Sequence, residues 1–140
     1  MFSLNGDTDL GKITIEVHKC REIRKDDWLI DSSATDHFVK DPESFVPGTM
    51  VLFSRGIRTA TDQVTYLTHK GDVEVNLDHP DGPRKVLITD VLYVPEIAIN
   101  LLGTIRLGKK RIGVNLLPDE VVFTNLVNIT VIGYGDVIYN

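Results

Sequence analysis

The sequence holds a single cysteine, Cys20, among 140 residues. One thiol cannot form a disulfide within the chain, and it cannot complete a zinc site that needs clustered cysteine and histidine ligands. The histidines are also scattered, without metal-ligand spacing, at His18, His37, His69 and His79. The sequence therefore predicts no disulfide framework and no metal site, and we expect no cofactor.

Long apolar runs and an excess of basic charge are also missing. No apolar segment reaches the roughly 18 residues that a membrane span needs. The N-terminus, MFSLNGDTDLGK, lacks the basic start and apolar stretch of a signal peptide. Lysine and arginine number 15 against 20 acidic residues, giving a net charge of −5, whereas binding to nucleic acid needs a basic face. We expect a cytosolic domain with neither a membrane nor a nucleic acid as partner.

The apolar segments that are present have the patterns of β-strands. Residues 12–17 alternate with a period of two, and Trp28–Ile30 is short and uniformly apolar, as in a buried strand. Two hairpins are predicted. The first joins residues 50–53 to 63–67 with Gly56 at its tip, and the second joins residues 72–77 to 85–94 through a turn rich in proline and glycine.

One segment has a helical pattern, NLLGTIRLGKK at residues 100–110, and two glycines limit it to a couple of turns. The tail then returns to strand patterns in GVNLL, EVVF, NITVI and DVIY. The predicted fold class is mostly β, a small closed barrel or sandwich with one short helix. We expect one domain over residues 1–140, with a core at about 12–117 and a strand-rich extension at 118–140.

The stretch WLIDSSATDHFVKD, residues 28–41, contains the main candidate for chemistry. An acid directly after a strand is ordinarily a turn residue. Peptide hydrolysis by two aspartates, however, also places each acid in a tight turn after a buried strand, close enough to share one proton. Asp31 is followed by a hydroxyl at Ser32 and a small residue at Ser33. The motif occurs once, so a second carboxylate would have to come from a second copy of the chain.

Two blocks in this sequence resemble the retropepsin-like protease domain of copia-type LTR retrotransposon polyproteins. The family's active-site loop, W-x-x-D-S-G-A-x-x-H, is similar to Trp28, Asp31, Ser32, Ala34 and His37. The second block, DVLYVPEIAINLLG at residues 90–103, is similar to the family's D-V-L-Y-V-P…N-L-L block. The resemblance runs from about residue 12 to residue 139.

The resemblance implies an aspartic endopeptidase that processes its own Gag-Pol polyprotein as a two-fold homodimer, in the cytoplasm or in virus-like particles. Asp31 would be the catalytic acid and base, Ser32 would contact the partner beneath the dyad, and Ser33 would belong to the same catalytic loop. A flap over an extended polypeptide would include Arg55, Gly56 and Ile57. Residues of the groove would be Ala34, Thr35, Leu102 and Gly103, with residues 101–103 packed under the loop.

Ser33 departs from the family pattern, which has glycine at this position. Glycine serves where the backbone needs a positive φ or a very close approach, and the serine hydroxyl has the reach to bond Asp31. A function of a different class is therefore an alternative to the enzyme. This is a catalytically weak or inactive dimerisation or peptide-binding module of the same fold. A domesticated cellular protein of either kind is a third alternative.

Three further features have alternative interpretations. Asp36 either pairs with an arginine across the dimer or is simply exposed, and His37 is expected to pack or cap locally, since the mechanism needs no imidazole. The tail after Pro118 either completes the dimer sheet or begins the next polyprotein segment.

Overall fold

The computed structural model describes residues 2–3, 24–58 and 62–137. Within these residues the chain forms ten strands, one α-helix (α1, Thr104–Lys109) and a 3-10 turn at Pro42–Ser44. No helix in this part of the chain has the length and apolar character to cross a bilayer. The strands are β1 Phe2–Ser3, β2 Trp28–Asp31, β3 His37–Val39, β4 Val51–Arg58, β5 Val64–Leu77, β6 Arg84–Tyr93, β7 Asn100–Gly103, β8 Ile112–Leu116, β9 Glu120–Asn125 and β10 Thr130–Val137.

A six-stranded sheet in the order β2-β7-β3-β6-β5-β4 carries the residues of the predicted site. Its long strand β5 pairs antiparallel with β4 on one side and with β6 on the other. At the other end, β2 pairs parallel with β7, and β3 pairs parallel with β6. Parallel neighbours place β2 and β7 so that both strands end at the same edge, where the loop after β2 and helix α1 begin.

The tail forms a second, four-stranded sheet in the order β1-β10-β9-β8. The two sheets meet where Asp78, just after β5, exchanges two backbone hydrogen bonds with Tyr134 of β10, at 3.0 and 2.8 Å. Gly133 permits this approach, because a Cβ there would lie 2.6 Å from the Cβ of Leu77. Residues 119–137 are thus part of the packed structure of this chain.

The main core lies where the two sheets and α1 face one another. Buried apolar side chains come from β5 and β6, from Leu102 and Leu107, and from Val121 and Phe123 of β9. Removing these side chains from water supplies most of the favourable free energy of folding, roughly 1.5–3 kcal/mol for each large one. A second, smaller cluster lies under the β4–β5 hairpin, and its members are Leu67, Leu92, Val94, Phe38, Phe53, Ile57 and Ile97.

The predicted fold class is confirmed: the described chain is mostly β, with one short helix. Both predicted hairpins are present, and the tail patterns GVNLL and EVVF correspond to β8 and β9. The last three residues of NITVI and the first two residues of DVIY fall in β10, and the rest of DVIY lies outside the described residues. The predicted strand at residues 12–17, together with Cys20, lies outside the described residues.

Two predictions were wrong in detail. Gly56 is not at a hairpin tip, because it lies within β4 opposite Tyr66, and the chain reverses between Arg58 and Val64. Residues 100–103 are not helical, because this segment pairs as β7 with β2. Its apolar residues serve a buried parallel strand, and tertiary pairing overrides a short helical pattern.

Candidate active site

Asp31 is the last residue of β2 and lies opposite Gly103 of β7. Its Oδ1 accepts two hydrogen bonds from Ser33, one from the backbone N–H at 2.9 Å and one from the hydroxyl at 2.7 Å. The turn is closed by the N–H of Ala34, 3.4 Å from the carbonyl oxygen of Asp31. The carboxylate is partly exposed and is held by its own turn.

These contacts lower the pKa of Asp31 below its ordinary value. The Ser33 hydroxyl is the largest cause, partial burial works against it, and backbone N–H groups of Ser33 and Ala34 add to the lowering. Donors that stabilise the charged form make the acid stronger. In a single chain Asp31 is therefore ionised at neutral pH, which suits a base that takes a proton from water. A shared proton requires a second carboxylate nearby.

Ser33 does not adopt a backbone conformation that requires glycine. The non-glycine residues with positive φ in the described chain are Asp62, Asp90, Arg111 and Ile129. The serine is therefore accommodated without left-handed strain, and its effect on the site comes from the hydroxyl on Asp31 rather than from the backbone.

Asp36 ends the same loop and is buried, with 5% of its side chain exposed. Its Oδ2 lies 2.6 Å from Nη2 of Arg55 on β4, and its Oδ1 lies 2.6 Å from Nη2 of Arg106 on α1. The hydroxyl of Thr35 donates a third bond at 3.1 Å. The predicted alternatives, exposure or an arginine across a dimer, were wrong, because both partners belong to the same chain.

The partners of Asp36 outweigh its burial. Burial alone would raise the pKa of this carboxyl group, but hydrogen bonds from Arg106, Arg55 and Thr35, with the charge of Arg55, lower the pKa to about 2. Asp36 is thus a fixed anion throughout the physiological range, joined to a hairpin strand and to the helix. Its geometry is that of a structural junction beside Asp31.

His37 is buried, and its Nδ1 accepts a hydrogen bond from the N–H of Gly103 at 3.1 Å. The expected local packing role is confirmed. Burial, with the positive charge of Arg106, lowers the pKa of this imidazole to about 4. Gly103 itself lies directly under the loop, since a Cβ there would be 2.6 Å from the carbonyl oxygen of Ala34 and 2.7 Å from that of Asp36. His37 and Gly103 support the loop from below.

The other predicted site residues lie in different surroundings. Ser32, Thr35 and Gly56 are exposed, and Ala34 is half-buried. Ile57 is half-buried in the small cluster under the hairpin. Leu102 was predicted to line a groove, but only 1% of its side chain is exposed and it packs in the main core. The prediction is not met because the side chain of Leu102 packs in the core shared by the two sheets and α1.

Sequence reasoning missed the role of Arg106 and the pairing of Asp36 with Arg55. The two arginines are 70 and 19 residues from Asp36 along the chain. No local pattern connects residues so far apart. The available signal was a lone arginine between apolar positions in each element, since a charge on a partly buried face needs a partner.

Comparison with known proteins identifies a family whose profile covers the candidate site. The profile of the family described as "Pol polyprotein, beta-barrel domain" matches residues 28–112, more than half of the chain. The chain belongs to this family. The match contains the whole of the candidate site, from Asp31 to Arg106, and ends at the start of β8.

This Pol β-barrel domain is also similar to a much longer protein, the retrovirus-related Pol polyprotein from transposon RE2 of Arabidopsis thaliana. The two are 29% identical over 92 residues, which cover 65% of this chain and 6% of that protein. The domain thus spans a small fraction of the curated relative that it matches. Both comparisons support an origin in the Pol polyprotein of a retrotransposon.

Proposed function

We propose that this Pol β-barrel domain is an aspartic endopeptidase that cleaves a Gag-Pol polyprotein and acts as a homodimer. Each copy contributes one Asp31, and the active site lies on the two-fold axis between the copies. The substrate is a polypeptide bound in extended conformation, with strand-like hydrogen bonds to the β4–β5 hairpin. No metal or organic cofactor takes part.

The observation that carries this proposal is the setting of Asp31. The carboxylate ends a strand that is anchored in parallel to β7, is partly exposed, and is oriented by donors from its own turn. Its loop is supported by Gly103 and His37. Such a support holds the carboxylate in place while leaving it accessible, which a group acting on substrate needs.

The chemistry follows from two such carboxylates held close together. Like charges at short distance favour a state in which one proton is shared, so one Asp31 is charged and the other neutral. The charged carboxylate takes a proton from a bound water, whose oxygen attacks the scissile carbonyl carbon. The neutral one donates its proton to the carbonyl oxygen. The tetrahedral intermediate then carries two hydroxyl groups. As it collapses, one hydroxyl gives its proton to the dyad and re-forms the carbonyl, the C–N bond breaks, and the leaving amine takes the proton that the dyad had received from water.

A second candidate function rests on the Ser33 hydroxyl, 2.7 Å from Oδ1 of Asp31. This bond favours the charged carboxylate and opposes the shared proton that the dyad needs. If that opposition prevails, the domain is a dimerisation or peptide-binding module with little or no turnover. Both functions require the homodimer, but only the endopeptidase cleaves the polypeptide that it binds.

Cleavage of the parent Gag-Pol precursor between roughly pH 4 and 7 tests the proposal, because sharing a proton raises one pKa of a carboxylate pair above the value of about 3.9 for a lone aspartate. The chain is assayed beside Asp31→Asn, and a peptide library replaces the precursor where it cannot be made. We expect cleavage by the parent chain and none by the variant. Circular dichroism checks that the variant is folded, and analytical ultracentrifugation checks that both chains dimerise.

Equal cleavage by the two chains would contradict a role for Asp31. A stable dimer without cleavage by either chain would reject the enzyme and favour the binding module. In that case Ser33→Gly separates the two causes: recovery of cleavage assigns the defect to the hydroxyl, and continued inactivity removes the endopeptidase from consideration.

A further inference from the structure

We propose that the Asp36–Arg55 ion pair is a latch that holds the β4–β5 hairpin against the loop bearing Asp31. Arg55 lies on the strand β4, whereas Asp36 ends the loop that starts after Asp31. A distance of 2.6 Å between Nη2 and Oδ2 marks a strong, charge-assisted bond. The hairpin cannot move away from the loop without breaking it.

The position of Arg55 on β4 makes a partner necessary. From residue 53 onward the strand alternates, so that Phe53, Arg55 and Ile57 face inward while the residues between them are exposed. Phe53 and Ile57 pack in the small apolar cluster under the hairpin. Arg55 thus places a charge in the middle of an apolar row, 6.0 Å from the centre of the Phe53 ring. Asp36 neutralises that charge.

Asp36 keeps other hydrogen-bond partners when its bond to Arg55 breaks. When Arg55 leaves, the carboxylate keeps the bond to Arg106 at 2.6 Å and the bond to Thr35 at 3.1 Å. Arg55 has 40% of its side chain exposed and can be solvated, whereas Arg106 is 28% exposed. The closed state is therefore stabilised, relative to the open state, by one charge-assisted bond and by the contacts of the hairpin. Opening leaves no buried charge without a partner.

This latch gives the hairpin a specific task, on the basis of the proposed function. In that function an extended polypeptide lies between the hairpin and the loop that bears Asp31, so the hairpin lifts to admit it and then closes to exclude water. Arg55 is accordingly a positioning residue that acts through Asp36, rather than a direct contact to substrate. Arg106 anchors the same carboxylate to α1 and stays in place during the movement.

Hydrogen exchange of the backbone amides tests the latch without any assay of cleavage. The full chain is compared with Arg55→Gln, which keeps the length of the aliphatic stem and loses the charge. The matched control is Arg58→Gln on the same strand, because the ion pair that Arg58 makes among the described residues is a local one with the highly exposed Asp62. Arg55→Lys is added, since it keeps the charge and loses the planar fork.

We expect Arg55→Gln to raise exchange in the β4–β5 hairpin about ten- to a hundredfold, the ratio that follows from losing one hydrogen bond to a charged group. Amides of Val121 and Phe123 in the second sheet should exchange as in the parent chain, since the opening is local. Arg58→Gln should match the parent, and Arg55→Lys should fall between the parent and Arg55→Gln.

Hairpin exchange in Arg55→Gln equal to that in Arg58→Gln would overturn the latch. A uniform increase over both sheets would overturn it as well, because the ion pair would then stabilise the whole fold. The result is independent of the proposed function: a chain that never cleaves peptide can still show local opening. Where the parent does cleave, Arg55→Gln should change KM more than kcat, whereas loss of the dyad abolishes kcat.

Discussion

The two aspartates of one loop, Asp31 and Asp36, have opposite environments although five positions separate them. Asp31 is partly exposed and is bound by donors of its own turn. Asp36 is buried and is bound by arginines from a distant strand and from the helix. Both carboxyl groups have lowered pKa values, by a hydroxyl in the first case and mainly by two guanidinium groups in the second.

The difference assigns separate tasks to the two ends of the loop. A buried carboxylate whose two oxygens both accept bonds from arginine is largely shielded from water and substrate. A carboxylate held from one side only remains available for chemistry. Asp36 therefore fixes the loop in the fold, and Asp31 is the group that the fold presents.

Neutralising each aspartate in turn should separate these tasks most clearly. Asp36→Asn leaves two guanidinium groups facing a neutral amide, and we expect the free energy of unfolding to fall by about 3 kcal/mol. Asp31→Asn removes a partly exposed charge and should change it by about 0.5 kcal/mol or less. Urea denaturation at neutral pH measures both. Equal losses of unfolding free energy in the two variants would contradict the division between a structural Asp36 and an accessible Asp31.

Support beneath the loop can be tested with a pair of glycines. Gly103→Ala places a Cβ within 2.7 Å of two backbone oxygens, those of Ala34 and Asp36. We expect a loss of about 2–3 kcal/mol, because backbone atoms on both sides of the loop must shift. Gly108→Ala, in α1, meets nothing within 4 Å and should stabilise the chain by up to about 1 kcal/mol. Thermal unfolding compares them, and a neutral Gly103→Ala would show that the loop is free to move.

Acid should weaken the support of His37 before it affects Asp36. The unfolded chain protonates this histidine near pH 6.5 while the folded chain resists until about pH 4. The stabilisation that depends on neutral His37 is thus fully present above the pKa of this histidine in the unfolded chain. It declines as pH falls, by about 2 kcal/mol between pH 6.5 and roughly pH 4.5. Protonation of Asp36 lowers the free energy of unfolding further only as pH falls from 3.8 towards 2.

His37→Gln should remove most of the decline between pH 6.5 and pH 4.5, as measured by urea denaturation across this range. The matched control is His79→Gln, which removes an imidazole on the turn between β5 and β6 whose hydrogen bond is local, from the N–H of Asp81. A slope that persists in His37→Gln would place the titrating group elsewhere.

The smallest expected effect concerns the hydroxyl of Ser33. Ser33→Gly removes the donor 2.7 Å from Asp31, so the pKa of Asp31 should rise towards its ordinary value, while stability changes by about 1 kcal/mol or less. A ¹³C NMR titration of the side-chain carboxyl groups follows this pKa. Ser32→Gly is the matched control, since Ser32 is the exposed neighbour in the same turn. Identical titration of Asp31 in both variants would remove Ser33 from the electrostatics of the site.

Much of the fold was predictable because its signals are local. Alternating apolar residues and turn residues located the hairpins and the tail strands, and the residues around Asp31 located the candidate site. The junction at Asp36 was not predictable, because its partners Arg55 and Arg106 are distant in sequence and meet only in the folded sheet. The strand β7 was missed for the same reason, since its conformation is set by pairing with β2.

The most direct test of the central claim, that a site needs one Asp31 from each of two chains, is cleavage by mixtures of parent chain and Asp31→Asn at constant total concentration. After subunit exchange in an equal mixture, only parent–parent dimers hold two carboxylates. We therefore expect about one quarter of the parent activity. About one half would mean that each chain acts alone, and would contradict the shared dyad.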